Sequence, residues 1–164
     1  MHPCVLVMGP SGVGKTSIAK AIADRLGAAF LEGDDYHPAK NRASMTAGKP
    51  LTDEMRWPWL AALADAVLAS ARTHPTVFTC SALKRSYRAF LREQIGDYRL
   101  IYLHVDPDLI RTRMQARQHF MRPEMLESQL AILEAPGADE APIVLDTGQP
   151  VPALCNQAIR ELNR

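Results

Sequence analysis

The chain has little that would direct it to a membrane, a nucleic acid or an oxidising compartment. Its 164 residues carry 19 Lys and Arg against 18 Asp and Glu, a formal net charge of +1. A balance this even gives no one-signed field to attract a polyanion or a lipid surface. No apolar run approaches the ~20 residues needed to span a bilayer. Only three cysteines occur, Cys4, Cys80 and Cys155, and none of their spacings is that of a metal site or a redox pair. Two stand in apolar strand-like runs and one on an apolar helix face. This predicts three core thiols and a reducing, cytoplasmic setting. An apolar strand run begins almost at the first residue, so no signal peptide is expected. Repeats, low-complexity tracts and linkers are absent as well. A single domain over 1–164, large enough for a real core, is therefore expected.

What is present begins with Gly9-Pro10-Ser11-Gly12-Val13-Gly14-Lys15-Thr16, a complete G-x-x-x-x-G-K-[ST] phosphate-binding loop. The apolar run Cys4-Val5-Leu6-Val7-Met8 precedes it. Ile18, Ala19, Ile22, Ala23 and Leu26 follow at helical spacing. The context is thus strand, glycine loop, helix. With Gly at about 7% of residues, chance would put this pattern in well under ~1% of chains this long. Backbone N–H groups in such a loop converge on an anion, and the helix that follows adds the positive end of its dipole. Lys15 supplies a mobile cation for the β- and γ-phosphates of a nucleotide, and Thr16 offers a hydroxyl to Mg²⁺. Gly9, Pro10, Ser11, Gly12, Val13, Gly14, Lys15, Thr16 and Ser17 form the candidate ATP-phosphate site.

Five β-like runs, at 4–8, 28–32, 76–80, 99–105 and 142–146, alternate with helical patterns. Near-continuous apolar strands separated by helices predict a three-layer α/β/α fold of the P-loop NTPase type, with a five-stranded parallel sheet. Asp106-Pro107 offers an N-cap and a first-turn proline, after which Leu109, Ile110 and Met114 should turn inward. Val151, Leu154, Cys155, Ala158, Ile159 and Leu162 form one apolar stripe. Trp57, Leu60, Ala61, Ala64, Val67, Leu68 and Ala71 form another. Two stretches break the alternation: 33–56 is polar, and 111–122 is dense in Arg and His. Ligands of open α/β sheets sit beyond the carboxyl ends of the strands, so the first stretch lies where a substrate would. One absence there is informative. The third strand runs into Cys80-Ser81 without the acidic residue that closes it in GTPases and motor-type ATPases. This favours small-metabolite kinases, in which an acid after the second strand serves.

The chain then reads Gly33-Asp34-Asp35-Tyr36-His37-Pro38, Asn41, Gly48-Lys49-Pro50-Leu51-Thr52-Asp53 and Arg56-Trp57-Pro58-Trp59-Leu60. Cys80-Ser81-Ala82-Leu83-Lys84-Arg85-Ser86-Tyr87-Arg88, His119-Phe120, Ser128-Gln129 and Leu133-Glu134 follow. From Val5 to about Asp146 this resembles the gluconate kinases, small P-loop kinases with the elements GDxxHP, CSALKxxYR, HF and SQxxxLE. The resemblance implies phosphorylation of D-gluconate by ATP with Mg²⁺, and a homodimer. Gluconate needs a cation for its carboxylate and donors and acceptors for its hydroxyls. Asp34, His37, Asn41, Arg56, Ser81, Lys84, His119 and Gln129 are the matching candidates. Asp34 is the expected proton acceptor or Mg²⁺ holder, and Lys15, Lys84 and Arg117 are its expected catalytic partners. The arginine spacing also resembles the short lid of nucleoside-monophosphate kinases. That implies a lid over roughly 113–125, with Arg113 toward adenine and Arg117 and Arg122 toward the transferring phosphate. The substrate-binding segment would span roughly 33–60. Gln149, in the loop after the fifth strand, is expected at the adenine wall.

Three departures from the family pattern stand out. Met55 replaces an Asp before Arg56, Ser44 replaces a Lys, and one residue, often Gly, is missing before His119. Two alternatives to gluconate phosphorylation remain open at this point. One is another small P-loop kinase, for shikimate or a nucleotide; the other is a non-catalytic ATP-binding regulator.

Overall fold

The apolar runs form β1 (Cys4–Met8), β2 (Ala29–Leu31), β3 (Thr76–Cys80), β4 (Arg99–His104) and β5 (Ile143–Asp146). In the computed structural model, which describes residues 1–116 and 123–164, all pairings are parallel and the order is β2-β3-β1-β4-β5. Central β1 is buried along its whole length, with Leu6 in register with Phe78 on one side and Leu100 on the other. A strand covered on both faces needs no polar alternation, which explains the continuous apolar sequence.

Alternate residues of these strands feed two cores. Val5, Val7, Val77, Ile101 and Leu103 pack with α1 (Lys15–Leu26) and α7 (Val151–Leu162). Leu6, Met8, Phe78, Cys80, Leu100 and Tyr102 pack with α3 (Asp53–Ala71) and α4 (Arg85–Ile95). The described residues also include α2 (Ala39–Thr46), α5 (Pro107–Ala116) and α6 (Pro123–Ile132). Short 3₁₀ turns lie at Gly33–Tyr36 and Ala138–Glu140. Among the described residues no helix is long and apolar enough to cross a membrane.

Helix starts follow local chemistry. Asp106 Oδ1 accepts from the N–H groups of Asp108 (2.8 Å) and Leu109 (3.3 Å), as its cap position predicts. Thr52 Oγ1 accepts from the Met55 N–H at 3.3 Å at the start of α3. The buried face of α3 differs from the expected stripe. Trp59, Leu60, Leu63, Ala64, Val67 and Ala71 are buried, whereas Trp57 and Leu68 are only partly covered. Trp59 turns inward because its indole N–H finds an acceptor, the Gly33 carbonyl, at 2.8 Å. Leu109 and Val151, expected inside, are 36% exposed at the first turns of their helices. All three cysteines are free and buried, and burial pushes the Cys80 thiol up to about 12.

Candidate active site

β1 ends at Met8 and the chain turns through the glycine loop into α1. Gly14 caps that helix at φ 98°, a left-handed conformation that a side chain would strain. Lys15 Nζ donates to the carbonyls of Gly9 (2.9 Å) and Pro10 (3.0 Å), folded back along the loop. Burial pulls its ammonium down from the usual range, while Asp34 and Glu32 pull it back up. The loop is also braced from α6. Ser11 N–H donates to Gln129 Oε1 at 2.8 Å, and Gln129 Nε2 donates to Ser11 Oγ at 3.2 Å. Gln129, expected on the sugar acid, is thus bonded to the phosphate loop.

The acid that β3 lacks is supplied by Glu32, the residue after β2. Thr16 Oγ1 donates to Glu32 Oε2 at 2.5 Å, and Thr79 Oγ1 donates to Glu32 Oε1. Asp34 is the acid expected to take the proton or hold Mg²⁺; the acid bonded to Thr16 is Glu32, two residues earlier. Glu32 carried no role in the sequence because it closes an apolar run and reads as a strand end. The available signal was a carboxylate at the carboxyl end of β2 in a chain whose third strand has none. A threonine hydroxyl and a carboxylate are hard oxygen donors, a set that fits Mg²⁺.

Gly33 places Asp34. Its N–H donates to Thr79 Oγ1 at 3.0 Å, its carbonyl accepts from Trp59, and a Cβ here would lie 2.0 Å from the Thr79 carbonyl oxygen. Only glycine lets the backbone cross the end of β3 so closely. The surrounding protein raises the Asp34 carboxyl, with Lys15 drawing it down and Glu32 pushing it up again. Its side chain still keeps 64% of its surface open.

His37 stacks on Trp59, with ring centroids 4.0 Å apart. Burial pulls its imidazole down to about 4, with Arg42 and Arg56 adding to the shift, so it is neutral at pH 7. Asn41 fixes the tautomer. Its amide nitrogen donates to the Met55 carbonyl (2.8 Å) and meets His37 Nδ1 at 3.2 Å. A carbonyl can only accept, so Asn41 Nδ2 faces both groups, His37 Nδ1 is the acceptor, and the ring proton is on Nε2. That atom lies 3.8 Å from Asp34 Oδ1. Asn41 itself is fully buried, behind His37 rather than on a substrate surface, and its Oδ1 has no partner among the described residues.

One cleft brings together Asp34, His37, Arg56, Ser81 and Gln129, all expected on the acceptor, with Lys15 of the phosphate loop and Trp59. Arg56 is held from behind. Its Nη1 donates to the Leu51 carbonyl (2.8 Å) and to the Tyr87 hydroxyl (3.1 Å). A second recess on the other side of the loop is lined by Gly12, Val13, Gly14, Ser17, Arg113 and Gln149, the expected nucleotide groups. Arg113 is anchored there on the Thr147 carbonyl at 2.9 Å. Arg117, His119 and Arg122 lie outside the described residues.

Lys84 does not line the acceptor cleft. It lies on an adjoining cavity with Asp53, whose carboxylate it meets at 3.2 and 3.3 Å. The bond to Asp53 raises the Lys84 ammonium. Asp53 also accepts from the Tyr87 hydroxyl, which with Lys84 holds its carboxyl down. Arg88, from the same sequence element, is buried and purely internal. It forks onto Glu140 at 2.6 and 2.9 Å and donates to the Ala82 carbonyl at 2.9 Å. This grip holds Ala82 at φ 45°, a left-handed turn that costs a non-glycine residue roughly 1–2 kcal/mol.

A parallel sheet in this order, with a phosphate loop after β1 and a recess on each side of it, defines a P-loop nucleotide-binding domain. Residues 4–136 match the family model described as an AAA domain. The chain is 42% identical over 166 residues to the thermoresistant gluconokinase of Escherichia coli (strain K12), covering 99% of this chain and 95% of that one. It is 45% identical over 152 residues to the gluconokinase of Gluconobacter oxydans (strain 621H), covering 90% and 84%. The crystal structure of a gluconokinase from Sinorhizobium meliloti 1021 matches with a TM-score of 0.88 at 41% identity, covering 99% and 92%. The chain belongs to the gluconokinase family.

Proposed function

We propose that the protein transfers the γ-phosphoryl group of ATP to the 6-hydroxyl of D-gluconate, giving ADP and 6-phospho-D-gluconate. The observation that carries this reading is the pair of recesses flanking the phosphate loop, one with nucleotide chemistry and the other with sugar-acid chemistry. In this reading the loop amides and Lys15 cradle the phosphates, while Arg113 and Gln149 wall the base. Thr16, with Glu32 behind it, would hold Mg²⁺, which supplies charge neutralisation at the β- and γ-phosphates.

On the acceptor side, Arg56 is the cation for the gluconate carboxylate, and Ser81 and the Nε2–H of His37 bond its hydroxyls. Asp34 takes the proton of the attacking hydroxyl, a role worth about 10²–10⁴ in rate. Charge stabilisation by Lys15 is the larger effect, because phosphoryl transfer needs mainly positioning and neutralisation. Residues 33–60 serve as the substrate segment and 113–125 as a lid, with Arg117 and His119 acting from it. A homodimer and a cytoplasmic location belong to the same reading; the three buried free thiols support a reducing compartment.

The test is ADP release with Mg²⁺-ATP against D-gluconate, shikimate, AMP and no acceptor. Turnover with D-gluconate alone is expected. Turnover with a different acceptor replaces the substrate, and ATP binding without turnover replaces the enzyme by a regulator. Asp34→Asn should lose about 10²-fold or more in kcat with ATP affinity nearly intact; unchanged kcat removes Asp34 from the chemistry.

A further inference from the structure

β3 lies between β2 and β1, so the acid after β2 and the loop after β1 are separated by the width of a strand. One side chain spans that gap. Strand alternation puts Thr79 on the same face of β3 as Val77, the face that packs against α1. Thr79 is completely buried and lines neither recess, so it touches no substrate. Its hydroxyl nevertheless meets both halves of the site. It accepts from the Gly33 N–H at 3.0 Å and donates to Glu32 Oε1. Glu32 Oε2 in turn accepts the Thr16 proton at 2.5 Å.

We infer that Thr79 is a positioning residue for phosphoryl transfer, through a relay from the Gly33 amide to Thr79, Glu32 and the Thr16 hydroxyl. The inference rests on the proposed kinase reading of the site. A hydroxyl suits the position because it has one proton to give and lone pairs to receive with. Giving the proton to Glu32 fixes that carboxylate, which presents its second oxygen to Thr16. Thr16 then spends its own proton on Glu32, and its lone pairs are left for a cation beside the phosphates. Accepting from Gly33 fixes the turn that carries Asp34. A valine of the same shape fills the space but leaves the Gly33 N–H and one Glu32 oxygen without their bonds. Thr79 thereby lets this chain use an acid from β2 where β3 has none.

The test uses ADP binding by isothermal titration calorimetry, with Mg²⁺ and with EDTA, beside kcat for D-gluconate. Removing one hydrogen bond to a charged group predicts that Thr79→Val loses about tenfold of the affinity that Mg²⁺ adds, with the EDTA value within about twofold of wild type. kcat should fall by about the same factor, and Thr79→Ser should restore both. Glu32→Gln should reproduce the Thr79→Val pattern. A folded Thr79→Val with the full Mg²⁺ increment overturns the inference, as does a Glu32→Gln that keeps it. If Thr79→Val does not fold, Thr79→Ser decides: it keeps the hydroxyl and must keep the increment, and its loss refutes the relay. ADP binding needs no acceptor, so failure of gluconate turnover in the wild type removes the proposed function and leaves this test standing.

Discussion

His37 is 8% exposed and stacked on Trp59, and its burial, with Arg42 and Arg56 nearby, holds its pKa at about 4. In the unfolded chain the imidazole returns to about 6.5. The unfolded state therefore binds a proton over a range in which the folded state binds none. A base depressed in this way contributes stability that is complete above about pH 6.5 and is lost as the pH falls toward 4. For a group moving from 6.5 to about 4, the loss between pH 7 and pH 5 is about 2 kcal/mol. The assay is urea unfolding of wild type and His37→Gln at both pH values. Glutamine keeps an amide oxygen for Asn41 and does not titrate. It will lower stability at each pH, but the contributions of all other titrating groups cancel in the difference between the two proteins. Wild type should lose about 2 kcal/mol more than His37→Gln on going from pH 7 to pH 5. Equal losses refute the reasoning, and with it the assignment of His37 as a neutral hydrogen-bond donor in the cleft.

Gly33→Ala should destabilise the protein by about 3 kcal/mol, because its Cβ would lie 2.0 Å from the Thr79 carbonyl oxygen; a melting temperature within a degree or two of wild type contradicts this. Lys84→Met should raise KM for D-gluconate severalfold and leave kcat nearly unchanged, since Lys84 lies on the cavity beside the acceptor cleft. A hundredfold fall in kcat at constant KM would instead put Lys84 at the reacting atoms. Arg113→Ala should raise KM for ATP by about tenfold without affecting that for D-gluconate, readable from paired saturation curves.

The phosphate loop was legible because its letters and its strand–helix context agree, and because every backbone bond it needs is local. The sheet was legible for a related reason: five apolar runs without alternation leave few arrangements other than a covered parallel sheet. The α3 stripe kept Leu60, Ala64, Val67 and Ala71 but took Trp59 in place of Trp57, because Trp59 is turned by a bond to Gly33, twenty-six positions away, and no periodicity within α3 reports that. Glu32 was missed for the same kind of reason. Its partners, Thr16 and Thr79, are brought to it only by the strand order. Asn41 had the right polarity for a substrate contact, but composition cannot tell a donor spent on His37 from one free to meet a ligand.

The two cores on opposite faces of the sheet bear on how this chain can vary. Ser17, Arg113 and Gln149 rise from the layer of α1, α5 and α7, and Arg56 and Trp59 from the layer of α3. Side chains packed on opposite faces of a sheet share few neighbours, and substitutions more than about 7–10 Å apart add nearly independently. Mutations around Arg56 and Trp59 in the α3 layer can therefore accumulate with little retuning of Ser17, Arg113 and Gln149. The sheet acts as a partial partition in sequence space, with freedom at Arg56 and Trp59 on one face, and shared constraint where Lys15 and Gln129 reach the acceptor cleft from the other.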